Sequence, residues 1–229
     1  MKLIQLTRTN DDKVIFEGRY LSVRACVEDA VRQEENLDFV NLRDANLVNA
    51  SLDGARMRGA CLKGANFSGA NLSEADLRGS DFSETSLYNA CLCWSNLSSC
   101  RFHYAGFGAT DISGALLNCC GFAGLSAFSL AFGESLSMKS CHYTDMHANK
   151  LPMSLPPLVI VGLERQLAVL DEDVIIGNTG IALKKLADKA LKTGDFSFLH
   201  KYRGLVHQAI SAKQISFRQP IVVDKPTEL

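Results

Sequence analysis

No apolar run in this sequence approaches the roughly 18 residues that span a bilayer as a helix. The longest, Leu155 to Leu163, is short and interrupted by Pro156 and Pro157, so a membrane span is excluded. The first ten residues lack the apolar stretch of a signal peptide. Charge of one sign is lacking too. Lys and Arg number 24 against 25 Asp and Glu, for a net charge of −1. Charge alone therefore gives no reason to expect nucleic-acid binding or strong acidic mimicry. Familiar catalytic signatures are missing: Gly-x-Ser-x-Gly, a Walker loop, Gly-x-Gly-x-x-Gly and His-Glu-x-x-His. The eight cysteines, without a secretory leader, point to reduced thiols and a cytoplasmic setting. What is present suffices for a folded core: 229 residues, 47% apolar and 21% charged.

The middle of the chain carries a repeat. From Leu42 to Phe122 a large apolar residue returns every five positions without a miss, through Leu47, Leu52, Met57, Leu62 and onward. From Leu47 onward, a small residue stands two places before each of them, from Ala45 and Ala50 to Cys100 and Cys120. A period of five fits neither a helix nor a strand. It fits a chain that turns a corner every five residues, with one large and one small side chain inward. Four corners close a coil of 20 residues, and coils stack at the strand spacing of about 4.8 Å. The stride of 20 then predicts ladders, among them Phe82–Phe102–Phe122 and Leu52–Leu72–Leu92–Ile112. It also sets Cys100 and Cys120 one coil apart, as reduced core thiols in a ladder or, within reach in principle, a disulfide. After Phe122 the pattern shifts by one residue. A bulge or loop is expected near 123 to 130, followed by one last irregular coil.

Ala45-Asn46-Leu47, Ala65-Asn66-Phe67, Ala70-Asn71-Leu72 and Ala75-Asp76-Leu77 resemble the pentapeptide-repeat family. The resemblance implies a mainly β chain: a right-handed quadrilateral β-solenoid over residues 36–147. Ends of such a stack need caps. Leu3 to Leu6 and Val14 to Phe16 read as strands. Val23, Cys26, Val27, Ala30 and Val31 mark one face of a helix N-capped by Ser22, so residues 1–35 form a strand–helix cap. Pro152, Pro156 and Pro157 mark a linker. Residues 155–212 read as a small C-terminal α/β module, with strands at 158–161, 167–170 and 174–176. Two helices follow, the first with Lys184, Lys185, Lys189 and Lys192 turned away from its apolar face; residues 213–229 form an extended tail. Lys13 to Gly18, Cys26 to Val31, Pro157 to Leu163 and Ile175-Ile176-Gly177 further resemble bacteriophage and prophage members. Where those members often carry Cys-His, this chain has Asn178-Thr179.

Candidate sites are few. Tyr88, Trp94, His103 and Tyr104 all fall at outward positions of one coil, and exposed aromatics are typical of interfaces. Arg56, Arg58 and Arg78 form a basic group on one face, with Asp76 stacked beside Arg56. Cys141, His142, Asp145 and His147 cluster near the end of the repeats. They are zinc-ligand types, but their spacing suits a surface loop better than a closed site. Cys91 and Cys93 point outward on either side of inward Leu92, with no second pair nearby in sequence. Gly177-Asn178-Thr179-Gly180 reads as a turn ahead of a helix, and His200 and His207 as one face of a helix. No catalytic residue, cofactor or metal is expected.

The resemblance implies a non-enzymatic protein that binds a host protein or protein–nucleic-acid complex, in the manner of a phage-type accessory protein blocking a host enzyme or defence complex. Relatives of this fold include mimics of duplex DNA that inhibit DNA gyrase. Eight acids and six bases over residues 36–125 give a net −2, which is poor mimicry. Direct nucleic-acid binding or a purely structural role is the remaining alternative. Nothing in the sequence specifies an oligomer.

Overall fold

The structure is a computed structural model that describes residues 1–161, 167–171, 173–182 and 221–222. It is mainly β. The chain opens with an antiparallel hairpin of β1 (Lys2–Thr7) and β2 (Val14–Tyr20). Helix α1 (Val23–Arg32) follows. The Ser22 hydroxyl accepts from the Ala25 N–H at 3.2 Å, and Cys26, Val27 and Ala30 are buried on the expected face. The helix is tied to the repeats by side chains. Arg24 Nη1 donates to Val48 O at 3.0 Å, and Glu28 Oε1 accepts from the Ser51 N–H at 3.1 Å.

From Asn41 onward the backbone returns on itself every 20 residues. Asn46 bridges Asn66, Ser51 bridges Asn71, and Arg56 bridges Asp76, all in parallel. Leu47 N–H donates to Asn66 O at 2.8 Å, and Asn66 N–H to Ala45 O at 2.9 Å. Every large residue of the five-residue series is at most 5% exposed. The small residues are buried as well, except Ala45, which is half-buried. Phe82, Phe102 and Phe122 stack with centroids 5.0 and 5.3 Å apart. Where an Asn or Asp precedes the large residue, as at eight of the seventeen positions, it has a job at the corner. Its side chain accepts the N–H two residues on, as Asn66 does from Ser68 (3.0 Å) and Asp111 from Ser113 (2.9 Å).

The irregularity lies where the pattern shifts. Two 3₁₀ turns, Leu125–Ser129 and Phe132–Glu134, absorb one extra residue. Beyond them the pairing interval becomes 21: Leu116 bridges Ser137, and Phe122 pairs with Tyr143. Strands β3 (Arg101–His103), β4 (Gly121–Ala123) and β5 (Cys141–Thr144) are parallel, and β6 (Lys150–Met153) turns back antiparallel as the edge. Pro152 therefore stands in a strand, not in the linker. An edge position tolerates a residue without an N–H.

A second sheet has the order β10-β9-β8-β7-β11, with β7 (Leu158–Val161), β8 (Leu167–Val169), β9 (Asp173–Ile176), β10 (Thr179–Ala182) and β11 (Ile221–Val222). Val159, Ala168, Leu170 and Ile175 join the same apolar core as the repeats. The expected helices, their lysines, His200 and His207 lie outside the described residues.

Candidate functional site

Each corner of the stack has one residue with left-handed backbone, two places after the large inward residue. Glycine holds it at 54, 59, 64, 69, 79, 114 and 124; elsewhere Asp44, Asn49, Glu74, Glu84, Asn89, Trp94, Ser99, Tyr104, Ala109 and Cys119 hold it, with φ of 52–72° except at Gly124, where it is 88°. Several of these side chains lie along the surface onto the next coil. A Cβ on Gly114 would meet the Trp94 ring at 2.5 Å, and one on Gly124 the Tyr104 ring at 3.3 Å. Tyr88 is not at such a corner but covers Gly106 and Gly108 in the same way. These three aromatics are 65%, 62% and 48% exposed (Trp94, Tyr104, Tyr88). Each reaches over glycine backbone while remaining open to solvent.

The structure does not gather the four predicted residues into one patch. Tyr88, Trp94 and the pair His103–Tyr104 occupy three different five-residue segments and hence three sides of the coil. Among the described residues, no ring contact joins them. His103 is half-buried and stands beside His142. Their Nε2 atoms lie 3.5 and 2.9 Å from where a Gly121 Cβ would be. Burial lowers the pKa of both imidazoles, helped by Arg101, His142 and Lys150 around His103, and by Lys150 around His142.

Two of the three arginines are engaged by carboxylates of the repeats. Arg58 donates to Asp38 Oδ2 through Nε (2.9 Å) and Nη2 (2.5 Å), and its own N–H goes to Asp38 Oδ1 at 2.9 Å. Arg78 reaches Asp76 at 2.8 and 2.7 Å. Arg56 is exposed and forms no ion pair among the described residues. Burial of Asp38 pushes its carboxyl up, but the hydrogen bonds and charge of Arg58 outweigh this and hold it below the usual range.

Cys141, His142, Asp145 and His147 are not assembled around a common point. Among the described residues no cluster of three metal-ligating side chains exists. Cys141 is inward, and its thiol donates to Leu117 O at 2.7 Å. Asp145 is 3% exposed and accepts from the N–H groups of His147, Asn149 and Gly180 at 2.9, 2.8 and 3.2 Å. It fastens the end of the repeats to the second sheet. Gly177 and Asn178 form the tight turn between β9 and β10, and Thr179 and Gly180 already belong to β10. Cys100 and Cys120 are free thiols that donate to Leu77 O and Leu97 O, each at 3.0 Å. Burial pushes both up, Cys100 to about 12.

A feature of the surface emerges only when the sequence is read at a stride of 20. The side made of 51–55, 71–75, 91–95, 111–115 and 131–135 carries Asp53, Glu74, Asp111 and Glu134 and no Lys or Arg. All four acids are exposed. Backbone bonds join the corners of this side in order: Glu74 N–H to Cys93 O, Trp94 N–H to Ser113 O and Gly114 N–H to Glu134 O, each at 2.9 Å. Trp94 thus sits in a corner row between Glu74 and Glu134. The side from 46–50 to 106–110 bears no charge at all. The linear count of acids and bases averages these sides together and hides the difference.

Residues 36–73 and 60–98 match the profile of pentapeptide repeats, eight copies in all. Over residues 36–98 the chain is similar to the pentapeptide-repeat family. No curated protein matches the chain. Among solved structures, it is similar to a pentapeptide repeat protein of the Arabidopsis thaliana thylakoid lumen, at 30% identity and a TM-score of 0.31. That match covers 36% of this chain and 65% of the other. HetL, a pentapeptide repeat protein involved in heterocyst differentiation regulation in Nostoc sp. PCC 7120, matches at 27% identity and TM-score 0.36, over 44% and 46% of the two chains. QnrB1, a plasmid-mediated fluoroquinolone resistance protein, matches at 17% identity and TM-score 0.27, over 47% and 59%. Among the described residues no helix is long and apolar enough to cross a membrane.

Proposed function

We propose that this chain is a non-enzymatic binding protein whose repeats form a right-handed quadrilateral β-solenoid, capped by the hairpin with α1 and by the C-terminal module. Its acidic side, centred on Trp94, docks onto a protein partner that offers basic groups around an apolar pocket. The observation that carries this reading is Trp94 itself: an indole 65% exposed, reaching over Gly114 and flanked by the Glu74 and Glu134 corners. Tryptophan is the residue class most enriched in binding hot spots. An anchor already restrained before binding loses little entropy on docking. Surrounding acids with no base among them select for a partner of opposite sign and speed the encounter.

A DNA-mimic that inhibits gyrase fits less well. Five coils span roughly 20 Å, over which duplex DNA carries about 12 charges. This side has four acids. The finer reading, a cytoplasmic phage-type accessory protein that blocks a host enzyme or defence complex, rests on the resemblance of the two ends and on the free thiols. Arg56, Arg58 and Arg78 make a weaker second surface, since two of the three are paired with Asp38 and Asp76.

The test is affinity capture from a bacterial lysate by Trp94→Ala beside the unaltered protein. Capture is expected to fall at least tenfold, with the circular dichroism spectrum and melting temperature unchanged. Equal capture by both proteins would remove Trp94 as the anchor.

A further inference from the structure

Cys91 and Cys93 take the places that an Asn or Asp and a Ser fill in neighbouring coils. In Asn71–Ser73, Asp81–Ser83 and Asp111–Ser113 the two side chains meet, with Ser Oγ to carboxyl or amide oxygen distances of 2.8, 2.5 and 2.6 Å. The same corner geometry brings Cys91 Sγ and Cys93 Sγ to 3.1 Å. Both are half-buried, open enough for a small reagent, whereas Cys26, Cys100, Cys120 and Cys141 are buried. We infer that Cys91 and Cys93 are a reversible redox site: a dithiol that a low-molecular-weight disulfide converts to an internal Cys91–Cys93 bond. The Cys91 thiolate attacks the disulfide R–S–S–R and releases one R–SH, leaving a mixed disulfide. Cys93 then gives its proton to solvent and attacks Cys91 Sγ, expelling the second R–SH. Two protein thiols are oxidised and one external disulfide is reduced to two thiols. Bond formation closes the sulfurs from 3.1 Å to about 2.05 Å.

The burial of Cys93, beside Cys91 and Asp111, pushes its thiol up to about 12. The second step therefore runs faster as pH rises, because only the thiolate attacks. Trp94 follows directly in the chain and is its only tryptophan. Its fluorescence reports on the bond, since a disulfide quenches a neighbouring indole.

The test treats the full, reduced chain with oxidised glutathione, alkylates the remaining thiols, and measures peptide masses and Trp94 emission. Expected is a peptide carrying residues 91–93 that has lost two hydrogens and takes no alkyl group. Emission should drop and return with dithiothreitol. Cys93→Ser should instead hold one glutathione on Cys91, read from the added peptide mass; serine stands at the equivalent positions 73 and 113, so the corner accepts it. Free alkylated Cys91 and Cys93, separate glutathione adducts on both, or a bond mapped to Cys119 or Cys61 would overturn the inference.

Discussion

At the scale of the residue, the left-handed corner decides how the surface is built. An L-residue with φ near +60° costs about 1–2 kcal/mol. Trp94, at φ 59°, bears that cost while its N–H bonds Ser113 O and its ring covers Gly114. Gly114 suits the partnership twice over: its φ of 70° is easiest for glycine, and a Cβ there would meet the ring above it. Gly114→Ala is therefore expected to lower stability by about 1–2 kcal/mol and to shift Trp94 emission, measured by denaturant titration followed at the indole. A second residue-scale prediction concerns acid. Asp38 has a depressed folded-state pKa, so its contribution is present above the unfolded carboxylate value of about 3.9 and is lost as pH falls through the folded value. Melting temperature should drop below about pH 4, and this drop should be smaller in Arg58→Ala, which lacks the interaction. Of these features, the inward and outward directions were legible from the period of five alone. The ring-on-glycine contacts were not read, although the signal was present: glycine at 54, 59, 64, 69, 79 and 114 marks one fixed place in the repeat.

At the scale of the element, the ladders hold the coils together. Phe102 stacks between Phe82 and Phe122 and also touches Phe107. Phe102→Ala should cost about 3–5 kcal/mol, because the stacked rings above and below leave little to fill the cavity; thermal or chemical unfolding checks it. A polar ladder runs through Ser80, Cys100, Cys120 and Cys141, whose side chains donate to Met57 O, Leu77 O, Leu97 O and Leu117 O. The stride of 20 predicts the first three members and the slip of one residue explains the fourth. The hairpin, α1 with its Ser22 cap, and the strands near 158, 167 and 174 were equally legible, since each shows its own periodicity or cap. Strand β10 was missed because Gly177-Asn178 suits a two-residue hairpin turn as well as a helix start. Pro152 misled for a related reason: a proline marks a linker or an edge strand, and only tertiary pairing distinguishes them.

At the scale of the whole molecule, one chain with a net charge of −1 presents sides of different character. One is uncharged, one is acidic around Trp94, and two carry mixed charge tied up in pairs such as Arg58–Asp38, Arg101–Asp81 and Lys63–Glu84. The grouping of Tyr88, Trp94, His103 and Tyr104 follows one coil, whereas each side of the stack runs across coils. Across coils, Trp94 shares its side with Asp53, Glu74, Asp111 and Glu134, the surface proposed for docking. The most direct measurement is capture by the tagged full chain from bacterial lysate, with and without nuclease, read by mass spectrometry. The acidic side around Trp94 predicts one protein complex retained in both lysates, weakened by added salt and lost on Trp94→Ala. Capture that disappears with nuclease, or that persists unchanged in Trp94→Ala, would contradict it.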